Sequence, residues 1–161
     1  MSGGPILPVS EYLGGAAGLI ASSVYVPATN TNTAGAIEGY QVAASLSADA
    51  PLVLQFAIPE VVPTGTCKLR GRHWANATSG VVKYTVSDGV TSAGSNIGVA
   101  TLTAETQVSL TWTTADVMVE NKLTLTNQPS ANTVLTVLVT FNTSGWTLAQ
   151  VLTSLYDLIW E

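Results

Sequence analysis

The segment from Leu123 to Tyr156 contains no charged side chain, although apolar and polar residues alternate along most of it. An alternation with a period of two places each set of side chains on its own face of a β-strand. The polar set in this segment is rich in threonine. The pattern predicts a sheet with a hydroxylated, uncharged outer face, which suits contact with neighbouring subunits.

Composition indicates a folded domain and narrows the choice of partner. Charged residues make up 9% of the 161 residues and hydrophobic residues 47%, whereas an average soluble domain has about 25% charged residues. Such a chain does not have the composition of a disordered protein. Its net charge of −5, with five basic residues, argues against nucleic acid as the partner. We expect no membrane-spanning segment, because the apolar stretch within residues 1–21 is shorter than the ~20 residues required.

The same alternation recurs elsewhere and predicts the fold class. Leu52, Leu54 and Phe56 form one face of a predicted strand. Strands of this kind, joined by Gly, Asn, Pro and Ser, predict an all-β fold: an antiparallel β-sandwich, as a jelly roll of about eight strands. Asp88 and Gly89 are predicted to form a turn between two strands, because both favour the backbone angles of a tight hairpin.

One segment near the C-terminus breaks the alternation. Thr147 and Gln150 have the spacing of a capping box and are followed by leucines at helical spacing. This predicts one short helix. Residues 156–161 fit either more helix or a strand, and their aromatic and branched side chains favour a strand that closes a sheet edge.

The N-terminal residues 1–21 are predicted to form an extended arm, ahead of a single sandwich domain at residues 22–161. Proline disfavours both a helix and a central strand there. An apolar arm alone in water is unfavourable, so we expect it to lie on the domain or on another subunit. Its candidate contact residues are Pro5, Ile6, Leu7, Pro8 and Val9.

The residues that carry most enzyme chemistry are scarce. Cys67 is the single cysteine and His73 the single histidine. Cys67 is expected to be a core residue, and His73, in a predicted strand, is expected to pack or to reach solvent only at its tip. One cysteine and one histidine do not make a zinc site, and no serine lies in a nucleophile-elbow motif. We predict no catalytic residue, no metal and no cofactor, and hence that the chain is not an enzyme.

Glycosidases need two carboxylates beside a cleft, and three acids of this chain are candidates for such a pair. Glu105, Asp116 and Glu120 lie close together in sequence, at predicted strand ends and in a polar connector. We interpret them as solvated acids.

The basic residues Lys68, Arg70 and Arg72 alternate and so share one strand face. One interpretation is an ordinary solvated sheet face. The other is electrostatic contact with an acidic partner, such as a neighbouring subunit. Trp74 and Tyr84 are candidates for a sugar platform, but we expect both to pack inward.

Four segments resemble small jelly-roll virion proteins of tailed bacteriophages. They are residues 63–70 (PTGTCKLR), 75–80 (ANATSG), 141–151 (FNTSGWTLAQV) and 159–161 (IWE). The resemblance covers about the last two thirds of the chain and is to the capsid cement or decoration proteins. It implies a homotrimer on the outer capsid surface of the virion, which binds the major capsid protein and stabilises the shell. The alternative is a tail-associated module that binds a host or a glycan.

Overall fold

The computed structural model describes residues 26–32, 35–42, 46, 48–92, 94–95, 101–150 and 152–161. The regular structure in these residues is entirely β-strand. The strands are β1 (Val26–Asn32), β2 (Gly35–Val42), β3 (Ala50–Ala57), β4 (Cys67–Ala75), β5 (Gly80–Ser92), β6 (Thr103–Ala104), β7 (Val108–Trp112), β8 (Val117–Thr124), β9 (Thr133–Phe141) and β10 (Leu152–Trp160).

These strands form two antiparallel sheets. Sheet A has the order β1-β2-β10-β4-β8, and sheet B has the order β3-β9-β5-β6. Strand β7 also pairs with β5, so β6 and β7 share one position beside it. Apart from β1 at the edge, eight positions remain, and every connection between them crosses to the other sheet except the one after β5. This is the strand order of a jelly roll, which confirms the predicted all-β antiparallel sandwich of about eight strands.

The core lies between the sheets and takes the apolar half of each alternating strand. Burying a large apolar side chain stabilises a fold by about 1.5–3 kcal/mol, so this double layer is the main source of stability. The largest fully buried side chains are Trp112, Tyr84, Tyr156, Phe56, Phe141, Leu52, Leu54, Leu69, Leu125, Leu135, Leu148 and Leu152.

Strand β9 shows how the charge-free segment is used. Its inward residues Leu135, Val137 and Val139 are fully buried. The outward Val134 is 36% exposed, and Thr136 is half-buried. The outer face of this strand therefore presents methyl and hydroxyl groups without charge, as its sequence predicts.

The short helix predicted near the C-terminus is wrong in the residues that the structure describes. Residues 146–150 are irregular, and strand β10 begins at Leu152. The Val81 N–H donates to Thr147 Oγ1, and the Thr147 N–H donates to the Val81 carbonyl, both over 2.9 Å. Thr147 thus bonds to β5 rather than capping a helix. The strand predicted for residues 156–161 is confirmed by β10, which extends to Trp160 and pairs with β4. Its predicted position at a sheet edge is wrong, because β10 lies between β2 and β4 inside sheet A.

The turn predicted at Asp88 and Gly89 is also wrong, because β5 runs through both residues. Gly89 is needed for a different reason. A Cβ at this position would lie 2.9 Å from the Thr101 carbonyl oxygen, closer than carbon and oxygen normally approach. The glycine therefore permits close packing of the chain against β5 instead of a hairpin.

The predicted arm at residues 1–21 and the domain boundary at residue 22 lie outside the described residues. The same holds for the arm's candidate contact residues Pro5, Ile6, Leu7, Pro8 and Val9. Their roles stay predictions.

Candidate interaction surface

The side chains of β10, β4 and β8 that point away from the core lie on one side of the sheet, which we call the outer face of sheet A; Thr153 and Asp157 on this face are buried. The pairing register places them side by side across the three strands. They are Thr153, Leu155, Asp157 and Ile159 on β10, Lys68, Arg70, Arg72 and Trp74 on β4, and Met118, Glu120, Lys122 and Thr124 on β8.

Arg70 and Asp157 form the central ion pair of this face. The Arg70 Nε–H donates to Asp157 Oδ1 over 2.9 Å, and the Arg70 Nη2 group donates to Oδ2. A guanidinium that binds both carboxylate oxygens is held more firmly than one with a single contact. The Asp157 side chain is only 4% exposed, and its hydrogen bond raises the pKa of Arg70. This pair is therefore a fixed part of the surface.

Two further contacts extend the ion pairs across the strands. Arg72 Nη2 lies 3.7 Å from Asp157 Oδ2, and Arg72 Nε lies 3.4 Å from Glu120 Oε2. At the other end, Glu161 accepts hydrogen bonds from Lys122 and from Lys68, the latter over 3.1 Å. These bonds lower the pKa of Glu161. The cations are thus held in place by carboxylates of their own chain.

The distribution of charge is uneven. Four of the five basic residues of the chain, Lys68, Arg70, Arg72 and Lys122, lie on this face, where they meet three carboxylates. The face therefore carries a formal charge of +1. The remaining seven acids and Lys83 give the rest of the chain a formal charge of −6.

The opposite end of the face is apolar. Trp74 of β4 lies opposite Met118 of β8, and Met118 is 49% exposed. Trp74 is half-buried, and its indole N–H has no hydrogen-bond partner among the described residues. The expectation that Trp74 packs inward is wrong, because it shares the face of Arg72. Tyr84 does pack inward and is fully buried.

The predicted basic trio is therefore assembled on one sheet face, as its alternation indicated. Sequence reasoning did not find its partners, because Asp157 and Glu161 lie about ninety residues away along the chain. An acid on a strand that alternates with apolar residues, as Asp157 does between Tyr156 and Leu158, is the signal that could have found one of them.

The structure also places a polar network in the core, around His73. Ser154 Oγ lies 3.0 Å from His73 Nδ1, and Asn121 Oδ1 lies 2.9 Å from His73 Nε2. The Tyr84 hydroxyl donates to Asn121 Oδ1 over 2.6 Å. Because that amide oxygen only accepts, the imidazole proton belongs on Nε2, and Nδ1 accepts from the serine. Burial lowers the pKa of His73 to about 4, so the ring is neutral at pH 7.

A serine beside a histidine is also the arrangement of a nucleophile and its base. Here both side chains are completely buried, at 0% exposure. The third partner is the amide of Asn121 rather than a carboxylate. The network therefore serves packing of the core. Of the two alternatives predicted for His73, a packed ring or a ring that reaches solvent at its tip, the structure shows the packed ring.

A second buried acid joins the two sheets at one end of the sandwich. Asp88 is fully buried, and its Oδ2 accepts a hydrogen bond from the Asn127 N–H over 3.0 Å. Burial and the adjacent Glu105 carboxyl raise the pKa of Asp88 to about 6. Partial burial opposes ionisation of Glu105, but hydrogen bonds from Asp88 and Thr126 outweigh it and lower the pKa of Glu105.

Gln128 completes this link, which we call the 125–130 clasp. Its Oε1 accepts from the Cys67 N–H over 2.6 Å, and its Nε2 donates to the Cys67 carbonyl over 3.2 Å. Residues 125–130 thus bond to sheet A through Gln128 and to sheet B through Asn127. Glu105 was predicted as a solvated acid; the structure places it in this link, whereas Glu120 pairs with Arg72.

In the part of the chain that the structure describes, no group of three or more His, Cys, Asp or Glu side chains is arranged to hold a metal ion. The same residues include no helix long and apolar enough to cross a membrane.

Comparison with known proteins shows likeness in fold. No family model matches the sequence. No curated protein matches it significantly. Among solved structures, a carbohydrate-binding module of family 4 is 20% identical, with a TM-score of 0.40 over 85% of this chain and 91% of the module.

Two other similar structures have different origins. The K3 adhesin domain of Lys-gingipain from Porphyromonas gingivalis is 16% identical, with a TM-score of 0.44 over 80% of this chain and 73% of the domain. The enzymatically active domain of tailspike protein 4 from bacteriophage CBA120 is 11% identical, with a TM-score of 0.41 over 86% of this chain and 18% of the tailspike chain. At these values the likeness concerns the β-sandwich class.

Proposed function

We propose that this chain is a non-catalytic binding subunit of a larger assembly and that it docks through the outer face of sheet A. The observation that carries the proposal is the network in which three carboxylates hold four of the five basic residues on one sheet face. Long side chains lose rotamer freedom when an interface orders them. Side chains already held by ion pairs lose less on docking.

The residue types at the apolar end support a protein partner. Trp, Met and Arg are enriched in the centres of protein interfaces, and Trp74, Met118 and Arg72 adjoin one another on this face. More specifically, we propose that the chain is a capsid cement protein. As a homotrimer it binds the major capsid protein on the outer surface of the virion and stabilises the shell.

One pair of variants tests the surface directly. Met118→Glu places a charge on the outer face of sheet A, and Val134→Glu makes a matched change at an exposed position on sheet B. Each is mixed with shells assembled from the major capsid protein of the same genome, and cosedimentation is measured. We expect Met118→Glu to weaken binding about tenfold or more, as for an interface anchor, and Val134→Glu to leave it unchanged. Equal effects, or no binding by the unmodified chain, would contradict the cement form.

A glycan-binding tail module is the second candidate, and one observation favours it. Trp74 lies on the same face as Arg72 and Glu120, so an aromatic ring adjoins planar polar groups that can bond sugar hydroxyls. A glycan array tests this candidate. Binding that is lost in Trp74→Ala and retained in Met118→Glu would favour the glycan over the capsid.

A further inference from the structure

Strand β3 forms one edge of sheet B. Among the described residues it pairs with β9 along its whole length and with no strand on its other side. An unpaired edge presents backbone N–H and C=O groups that can join a strand from another chain. The question is which groups this edge presents and which strand they fit.

The register determines which residues face outward. The Ile58 N–H donates to the Thr133 carbonyl over 2.9 Å, and the pairing continues without a bulge through β3. Backbone groups of successive residues in an antiparallel strand point to opposite sides. Those of the even-numbered residues therefore point to β9, and those of Val53, Gln55 and Ala57 point to the open edge.

The position of Pro51 agrees with this assignment. Proline lacks an N–H and is tolerated in a strand where that group would face away from the ladder. Pro51 belongs to the outward-facing set, so pairing with β9 loses no hydrogen bond there.

Strand β3 differs in charge from edge strand β8 of sheet A. Natural edges are commonly protected from pairing by charged residues or proline. Strand β8 carries Glu120 and Lys122. Strand β3 has no charged residue, and the nearest acids, Asp49 and Glu60, lie beyond its ends. Its one proline, Pro51, is the second residue of the strand, so the rest of the strand keeps its N–H groups.

The outward-facing set is symmetric about Gln55. Val53 and Ala57 flank it at equal spacing, and Pro51 and Pro59 end the set at equal spacing on either side. If two copies meet antiparallel with Gln55 opposite Gln55, Val53 of each copy faces Ala57 of the other. Every N–H at these three positions then faces a carbonyl, and the two prolines face each other where no N–H is available.

We propose that β3 pairs antiparallel with β3 of a second copy in this register, so that sheet B continues across a two-fold axis. A two-fold contact uses the same patch on both partners, and the symmetric edge meets that requirement. The uncharged outer side chains of β3 and β9 remain side by side across the contact without like-charge repulsion.

This contact does not depend on the outer face of sheet A. If copies also meet around a three-fold axis, the β3 contact joins neighbouring trimers. Light scattering on the full chain should therefore give a dimer or a hexamer. A monomer or a trimer at concentrations of about 100 µM would overturn the proposal.

Charge substitutions at the centre of the contact test its register. Gln55 is exposed, so Gln55→Lys should leave the fold intact, but it places two like charges opposite each other on pairing. Gln55→Lys alone and Gln55→Glu alone should each lose the two-fold contact, and a mixture of the two should recover it. Gln107→Lys, at another exposed glutamine, should behave as the unmodified chain. Unchanged association in the single Gln55 variants, or no recovery in the mixture, would overturn the proposal.

A cross-link distinguishes a second copy from the chain's own N-terminal residues 1–25 as the occupant of this edge. Directly opposed residues of a hydrogen-bonded pair have Cα atoms about 5.5 Å apart, within disulfide range. Gln55→Cys should give a covalent dimer on mild oxidation, and Gln107→Cys should not. Cys67 is fully buried and does not interfere. The proposal would be overturned if the full-length Gln55→Cys chain did not cross-link but the same variant without residues 1–25 did. That result would assign the edge to the N-terminal segment.

Discussion

A Cβ atom at position 71 would lie 2.5 Å from Nε2 of His73. It would also lie 2.7 Å from Oδ1 of Asn121, the acceptor to which the histidine is bonded. Gly71 therefore leaves the space that the side chains of His73 and Asn121 occupy in the core, and a larger residue at this position would displace them.

We expect Gly71→Ala to lower the free energy of unfolding by roughly 2–4 kcal/mol, because it overpacks the core and displaces buried hydrogen bonds. Urea denaturation measures the loss. In a double-mutant cycle, adding His73→Ala should destabilise the Gly71→Ala protein less than it destabilises the unmodified chain. Simple additivity would show that the contact with His73 is not the cause.

His73 should make stability depend on pH. Its pKa is lowered from about 6.5 to about 4 on folding, so the unfolded chain takes up a proton that the folded chain does not. The contribution of the neutral His73 to the free energy of unfolding is complete above pH 6.5 and falls by roughly 3 kcal/mol as the pH drops to about 4. His73→Gln should remove this acid-side loss in urea titrations between pH 4 and 7. An unchanged slope would contradict the buried, neutral histidine.

Asp88 should change stability with pH in the opposite direction to His73, over an overlapping pH range. Its pKa is raised from 3.8 to about 6, so its contribution is complete below about pH 4 and is lost as the pH rises to about 6. Asp88→Asn keeps an acceptor for the Asn127 N–H and removes the buried charge. We expect this variant to be more stable than the unmodified chain at pH 7.5 by roughly 1–3 kcal/mol, with little difference at pH 4. Because His73 and Asp88 oppose each other, the unmodified chain should show a shallow profile between pH 4 and 6.5.

The ion pair of Arg70 and Asp157 should contribute more to stability than the neighbouring pair of Arg72 and Glu120. Arg70→Ala leaves the nearly buried Asp157 carboxylate without its two-point partner, and we expect a loss of roughly 2–4 kcal/mol. Arg72→Ala, at a pair exposed by about a third on each side, should lower stability by at most about 1 kcal/mol. Adding Asp157→Asn should restore part of the stability of Arg70→Ala. Similar losses of stability in Arg70→Ala and Arg72→Ala would show that the difference in burial does not determine what each ion pair contributes.

Cys67 should be inert in the folded protein. Burial and the nearby Asp88 raise the pKa of its thiol to about 12, and its side chain is fully buried. The thiolate is the reactive form, so a colourimetric thiol reagent at pH 8 should react only after urea unfolds the chain. Rapid reaction in buffer would show that the end of the sandwich at the 125–130 clasp opens readily.

Particular residues show which predictions succeeded from sequence. Leu52, Leu54 and Phe56 were placed on one face by their period alone, because every strand of a sandwich must bury one face. The same period assembled Lys68, Arg70 and Arg72 on one surface. Local patterns failed where distant partners decided the outcome: Thr147 bonds Val81 of β5 instead of capping a helix.

The sequence by itself determined the fold class, the strand faces and the uncharged outer surface of β9, because these follow from side-chain alternation within single strands. Only the tertiary structure decided which surfaces those faces make. It brought Asp157 and Glu161 to the basic residues, carried β5 through Asp88 and Gly89, and left β3 at the edge of sheet B among the strands that the structure describes. Strand order in a jelly roll depends on pairing between residues far apart in sequence, and local periodicity does not contain that information.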